Sequence, residues 1–238
     1  MKRVGIIFAM EEEMDAFKDG ISIVNEYQIF DLKFYECIVN SVFCILVESG
    51  VGKVNAARTT QILIDNLKVD YIFNVGVAGG ISDKLKIGDV VVGTNLVQHD
   101  FDLTGFNHEK GYIPRIGKFI KSDEYLIRLA QNTFSNLTKN HKYNYFLGTI
   151  ASGDIFCTER KMAEKIHLKF EALCVEMEGA SIAQVCFLSN IPFLILRSIS
   201  DTPNDDNVVT YEKFLKEASI NINEALKLML NKFEKNEL

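Results

Sequence analysis

The amino-acid sequence predicts an α/β fold, a mostly parallel sheet with helices packed on both faces. Three observations predict it. Strand-length apolar runs rich in β-branched residues recur along the 238 residues. Several lack polar alternation, as strands buried on both faces do. Between them lie segments with apolar residues at helical spacing, and such alternation of strand and helix marks a sheet wrapped on both sides.

The strand runs, in order, are VGIIFA (4–9), FYECIV (34–39), VFCILVES (42–49), YIFNVG (71–76), DVVVGTNLV (89–97), FLGTIAS (146–152) and FLILRSIS (193–200). After the first, Met10, Met14 and Phe17 share one helical face. Residues 53–67 place Ala56, Thr60, Leu63 and Leu67 on one stripe, and residues 179–190 repeat Ala180, Ala183 and Phe187. The last helix is expected to start at Thr210 as N-cap and to carry Phe214, Ala218, Ile222, Ala225, Met229 and Phe233. With 3 prolines and no Ser/Gly linker, residues 1–238 read as a single domain.

Composition excludes several classes. A net charge of -6 without a Lys/Arg stripe argues against nucleic acid or a membrane surface as partner. No apolar run approaches the roughly 20 residues of a membrane span, and the start is too short in apolar residues for a signal peptide. A cytoplasmic protein is expected. The five cysteines have no CxxC spacing and read as reduced, buried thiols.

Two glycine motifs fail the nucleotide fingerprints. In GVGKVNA (50–56), Val47 occupies the first glycine position of a phosphate loop, Val54 follows Lys53, and Asn55 spoils GxGxxG. NVGVAGG (74–80) reads equally as a turn requiring positive φ or as close backbone approach to a ligand. The segment 98–114, with His99, Asp100, Asp102 and His108, is a loop expected to cover a pocket or pack on a partner rather than bind metal. No cofactor is implied.

Three carboxylate features follow apolar runs: Glu11-Glu12-Glu13, Glu176 with Glu178, and Asp201. Acids favour helix N-termini, which accounts for Glu11 and Glu12. Asp201 fits that account less well, because Pro203 and the polar run after it suggest a loop. At 100° per residue Glu13 lies about 60–70° from the centre of the Met10/Met14/Phe17 face, whereas Glu11 lies about 90° away and Glu12 almost opposite. Glu13 is therefore the glutamate expected to face the interior, where a carboxylate needs a functional reason.

GIIFAMEEEM, ESGVGKVNAA, NVGVAGG, SGDIF, VEMEGASIAQVC and RSISD together resemble the signatures of bacterial 5′-methylthioadenosine/S-adenosylhomocysteine nucleosidases, in the purine nucleoside phosphorylase-like superfamily. The motifs run in order along nearly the whole chain. The resemblance implies a central twisted mixed sheet closing into a distorted barrel, flanked by helices, in a homodimer. It implies hydrolysis of the N-glycosidic bond of 5′-thioadenosines to adenine and a 5-thioribose.

It further implies Glu13 as the base activating water and Asp201 as the acid protonating adenine N7. Glu178 would hold the ribose hydroxyls, with Met177 beneath the sugar and Glu176 close by. Arg197 and Ser200 would support water and Asp201. Phe156 would stack on adenine and the Cys157 backbone would bond its edge. The strand backbone of Val77, Ala78 and Gly79 would approach the substrate. Met10, Val51 and Tyr211 would line the alkylthio end, and Leu103, Phe106 and Pro114 would reach the neighbouring subunit's pocket.

Val77 stands where the family commonly has Ser, and Tyr211 where Phe is usual. The chemistry suits these residue types: departing adenine needs an acid, and attack by water on the opposite face needs a second carboxylate. An Asp acid needs its pKa raised by roughly three units, about 4 kcal/mol of environment. The alternatives that remain open are aminofutalosine hydrolysis, nucleoside phosphorolysis and non-catalytic nucleoside binding.

Overall fold

The structure is a computed structural model that describes residues 2–137, 143–202 and 207–233. Ten strands form one sheet: β1 (Arg3–Phe8), β2 (Ile23–Ile29), β3 (Leu32–Val39), β4 (Val42–Glu48), β5 (Tyr71–Gly80), β6 (Val90–Gln98), β7 (Ile120–Lys121), β8 (Tyr145–Ser152), β9 (Ala172–Glu176) and β10 (Phe193–Asp201). Among the described residues six α-helices surround it: α1 (Glu11–Lys18), α2 (Lys53–Asp65), α3 (Glu124–Leu137), α4 (Arg160–Phe170), α5 (Gly179–Ser189) and α6 (Asn207–Phe233). All seven apolar runs form strands. The last helix begins before Thr210, and Phe187 on α5 is exposed while Cys186 takes the buried place. Residues 203–206, including Pro203 and its polar neighbours, lie outside the described residues.

The sheet is mixed, which corrects the mostly parallel expectation drawn from the apolar runs. β1 pairs in parallel with β4 and β5, β5 with β10, and β8 with both β6 and β9. The β2–β3, β3–β4, β5–β9, β6–β7 and β6–β10 pairs are antiparallel. Burial on both faces makes runs apolar whatever their direction, so the runs did not reveal orientation. Because β10 bonds both β6 and β5, the path β10-β6-β8-β9-β5 closes into a five-stranded barrel, while β1, β4, β3 and β2 extend from β5 as a wing. Register shifts in the β6–β8, β8–β9 and β5–β10 pairs bend the barrel strands, as bulges do.

Two cores line the two faces. Val4, Ile6 and Phe8 of β1 pack with Met14, Phe17 and the inner faces of α3 and α6. Ile7 points the other way, to Leu63 of α2 and Ala183 of α5. Gly5 forms a notch for Leu63, whose Cδ1 would lie 3.1 Å from a Cβ at that position. Among the described residues no helix is long and apolar enough to cross a membrane.

The site is positioned by strand ends. β1, β4, β5 and β10 run in one direction. β9 runs against β5 but overlaps only its tip, at Gly79–Val175 and Gly80–Cys174. The carboxyl ends of β1, β4, β5, β9 and β10 therefore converge. Leu63→Ala should cost about 2–5 kcal/mol, the range for a fully buried leucine. A loss below about 1 kcal/mol in denaturant unfolding would contradict the packing described.

Candidate active site

α1 starts two residues after β1, and its third residue is Glu13, which is 3% exposed while Glu11 and Glu12 face solvent. Its Oε2 accepts the N–H groups of Ala9 at 2.9 Å and Met10 at 3.3 Å, and its Oε1 accepts the Val77 N–H at 2.9 Å. Three backbone donors from two strand ends thus fix the carboxylate. Gly76 makes room for it: a Cβ there would lie 2.4 Å from Oε1. In NVGVAGG neither Gly76, Gly79 nor Gly80 has positive φ. The positive-φ turn reading fails, and what packs against this backbone is the protein's own carboxylates: Glu13 at Gly76, and Asp201 at Gly79, where a Cβ would lie 3.3 Å from Oδ2.

Asp201 ends β10 at a bulge. Ile199 pairs with Ala78 and Asp201 with Gly79, so Ser200 is the extra residue. Such a bulge re-aims side chains. Asp201 is 2% exposed, and the Ser200 hydroxyl donates to its Oδ1 at 2.8 Å.

Glu176 ends β9 and meets Arg197 of β10 in a fully buried ion pair. Its Oε2 also accepts the Glu178 and Gly179 N–H groups at 3.1 and 2.7 Å, and its Oε1 accepts the Ser152 hydroxyl. Arg197 donates to Asn74 Oδ1 and to the Leu196 carbonyl, and lies 3.8 Å from Glu178. Glu178, just before α5, accepts the Gly52 N–H at 2.9 Å.

One cavity of about 90 Å³ is lined by Met10, Glu13, Val51, Val77, Ala78, Gly79, Phe156, Glu176, Met177, Glu178, Ser200, Asp201 and Tyr211, with Ala9 and Val175. The last two were missed because each looks like an ordinary strand-end apolar residue. Arg197 lies behind the lining and Cys157 beside it, its thiol pushed up by burial. Leu103, Phe106 and Pro114 do not line this cavity; Phe106 is 77% exposed on a short 3-10 turn. The Tyr211 hydroxyl donates to Met10 Sδ at 3.2 Å, and its ring meets Phe156 edge-on at 5.7 Å. Asn74, Ser152, Gly52 and Gly76 sit inside quoted motifs, but their supporting roles depend on distant partners.

Three glutamates, Glu13, Glu176 and Glu178, share the Arg197 guanidinium, and Asp201 stands apart from it. Burial pushes Glu13 up, against the opposing pull of Arg197 and its three N–H donors. Burial, then Glu176, pushes Glu178 up to about 7. Burial raises Asp201, with only the Ser200 hydroxyl opposing. The site can therefore hold a protonated and an ionised carboxyl at neutral pH, as paired acid–base chemistry requires.

The phosphorylase superfamily matches residues 3–233. A 5′-methylthioadenosine/S-adenosylhomocysteine nucleosidase of Bacillus velezensis is 37% identical over 96% of this chain and 97% of its own length. The chain belongs to the 5′-methylthioadenosine/S-adenosylhomocysteine nucleosidase family. Two solved structures are similar to it. One is a nucleosidase of this family from Colwellia psychrerythraea in complex with adenine, with TM-score 0.92 and 34% identity, over 97% of this chain and 95% of that one. The other is a futalosine hydrolase mutant of Helicobacter pylori, with TM-score 0.92 and 33% identity, over 98% of this chain and all of that one. The nucleosidase family thus accounts for the barrel and for the order of the motifs along it.

Glu178 gives a stability test. Its carboxyl rises from 4.5 to about 7 on folding. The folded chain holds a proton that the unfolded chain releases between those values. Stability therefore falls as pH rises from about 4.5 and is fully reduced above about 7. Glu178→Gln keeps an acceptor for Gly52 and removes this cost. It should raise stability by about 3 kcal/mol at pH 8 and little at pH 5. Equal shifts at both pH values in thermal melts would refute the burial cost.

Proposed function

We propose that this chain hydrolyses the N-glycosidic bond of 5′-methylthioadenosine and S-adenosylhomocysteine, releasing adenine and the 5-thioribose product. The observation that carries the reading is the pairing of Glu13 and Asp201 in one cavity. Each is held against a glycine of β5, Gly76 and Gly79, three strand residues or about 10 Å apart. The two carboxyls thus enter the cavity at different points along β5, and a pair of carboxyls flanking the scissile bond is what inverting glycoside hydrolysis uses.

In this mechanism Asp201, whose protonated form burial favours, gives its proton to adenine N7 as the C1′–N9 bond breaks. Water adds to C1′ from the other side, and the Glu13 carboxylate takes its proton. Glu178 accepts the ribose hydroxyls and, with Glu13, stabilises positive charge developing on the sugar. Met177 packs beneath the sugar, Phe156 against the base, and Met10, Val51 and Tyr211 around the 5′ substituent. Arg197 and Ser200 hold the carboxyls in place.

Phosphorolysis is disfavoured, because the glutamates lining the cavity repel phosphate and the nearby guanidinium is already paired with Glu176. Likeness to the futalosine hydrolase supports a second substrate, the adenine-bearing aminofutalosine. The chain as a whole is taken as the working domain and as one half of a homodimer. The exposed Val54, Phe106 and Leu188 support that assembly, with Leu103, Phe106 and Pro114 serving the neighbouring cavity.

Adenine release from methylthioadenosine should proceed equally with and without phosphate; turnover that requires phosphate overturns hydrolysis. Glu13→Gln and Asp201→Asn should each slow the reaction at least about 10²-fold, with Glu12→Gln close to the parent. Gly76→Ala should resemble Glu13→Gln, since its methyl occupies the space of Oε1. Parent-like activity in that variant would show that Glu13 does not act from this position.

A further inference from the structure

A polar cluster beside the cavity has no part in the bond-breaking steps, yet it is built from three separate segments. Lys53 opens α2, Asp100 follows β6 and Asp154 follows β8. Asp100 takes Lys53 Nζ on one oxygen at 2.6 Å and the Asp154 N–H on the other at 3.0 Å. Asp154 Oδ1 takes the Lys53 N–H at 2.8 Å, and its Oδ2 lies 3.9 Å from Nζ. Gln98 adds a further bond to Nζ at 3.1 Å. These contacts close a ring around the turn that presents the Gly52 N–H to Glu178. Gly52 itself has φ 102°, a conformation that other L residues rarely adopt, so glycine suits the position.

We propose that Lys53 is a positioning residue: with Asp100 and Asp154 it clamps the turn before α2, so that the Gly52 N–H stays on Glu178. This rests on the reading of Glu178 as the acceptor of the sugar hydroxyls, which requires its ionised form. The clamp also fixes Asp154 two residues before Phe156, so one ammonium group orders both the sugar side and the mouth of the cavity.

The groups facing Glu178 make the consequence specific. Glu176 from β9 and Glu13 from α1 push its carboxyl up, while Arg197 from β10 and the Gly52 N–H pull it down. The Tyr211 phenol of α6 also faces it. His99, buried beside Asp100, Lys53 and Glu176, is held below its ordinary range by burial and so adds no full cation near neutral pH. Asp100 stays ionised, because Lys53 and the Asp154 N–H outweigh its burial. Loosening the turn removes one of the two interactions that keep Glu178 ionised.

The test is Lys53→Met with two readouts. Hydrogen exchange at the amides of residues 52 and 53 should speed up about tenfold or more, while the middle of α2 keeps its protection. The acid limb of kcat/KM for methylthioadenosine should move up by about half a pH unit or more. The deficit is then largest below about pH 7 and shrinks towards about pH 8.5. Lys53→Arg should recover part of the shift, and Asp154→Asn should move both readouts in the same direction as Lys53→Met. Unchanged exchange, or one constant factor of lost kcat/KM at every pH, overturns the proposal. If the parent releases no adenine, the proposed function fails, and the exchange measurement still decides the clamp.

Discussion

The buried ion pair between Arg197 and Glu176 is the constraint around which the barrel and its cavity are arranged. Arg197 lies on β10, Glu176 on β9, Asn74 on β5 and Ser152 on β8, so one hydrogen-bonded group joins four of the five barrel strands. A buried pair returns its desolvation cost only when the remaining donors and acceptors are also satisfied. Here Asn74 takes one guanidinium nitrogen and itself donates to the Ile7 carbonyl, tying β1 to the network, while Arg197 Nε is buried without a hydrogen-bond partner among the described residues, so the return is incomplete. Glu176 receives two backbone N–H groups at the start of α5, where the helix dipole favours a negative charge. Removing either partner would leave a bare charge inside, a cost of about 3–5 kcal/mol in comparable cases.

The pair also sets the electrostatic economy of the cavity. Its single positive charge faces Glu13, Glu176 and Glu178, and it lowers two of them while Glu176 raises Glu178. The surplus of acids is destabilising in the empty protein. That is the usual relation between a functional site and the fold that carries it. The same surplus favours a sugar carbon gaining positive charge and disfavours a phosphate nucleophile. Hydrolysis over phosphorolysis thus follows from the sign of the field, without a dedicated device to exclude phosphate.

Much of this was legible in the sequence, for identifiable reasons. The seven strand runs were visible because both their faces are buried. β2 escaped notice because it is largely exposed and mixes polar with apolar residues, and β9 because it is only five residues long. α3 and α4 were passed over, although Leu126, Leu129, Ala130 and Ala163, Ile166, Phe170 mark their buried sides. Glu13 stood apart from Glu11 and Glu12 through helical geometry alone, because the choice depended on a local angle. The glycines of β5 were ambiguous, because what crowds them comes from α1 and β10. The Lys53–Asp100–Asp154 clamp was out of reach for the same reason: its members are about fifty residues apart and none belongs to a spacing rule.

Val77 shows how a residue whose side chain carries no donor can still hold a carboxylate. Its side chain offers no hydroxyl to the cavity, yet its backbone N–H holds Glu13 at 2.9 Å. A backbone donor survives any substitution that keeps the strand, proline excepted. The constraint on this stretch of β5 therefore falls on Gly76, whose missing side chain admits the carboxylate, more than on the residue after it. The isopropyl group supplies no donor to favour a charged form, and burial already raises Glu13. Arg197 and the three N–H groups must then do more of the work of keeping Glu13 ionised. The orientation of Glu13 thus depends on main-chain geometry, and its charge depends on the guanidinium that also joins the barrel.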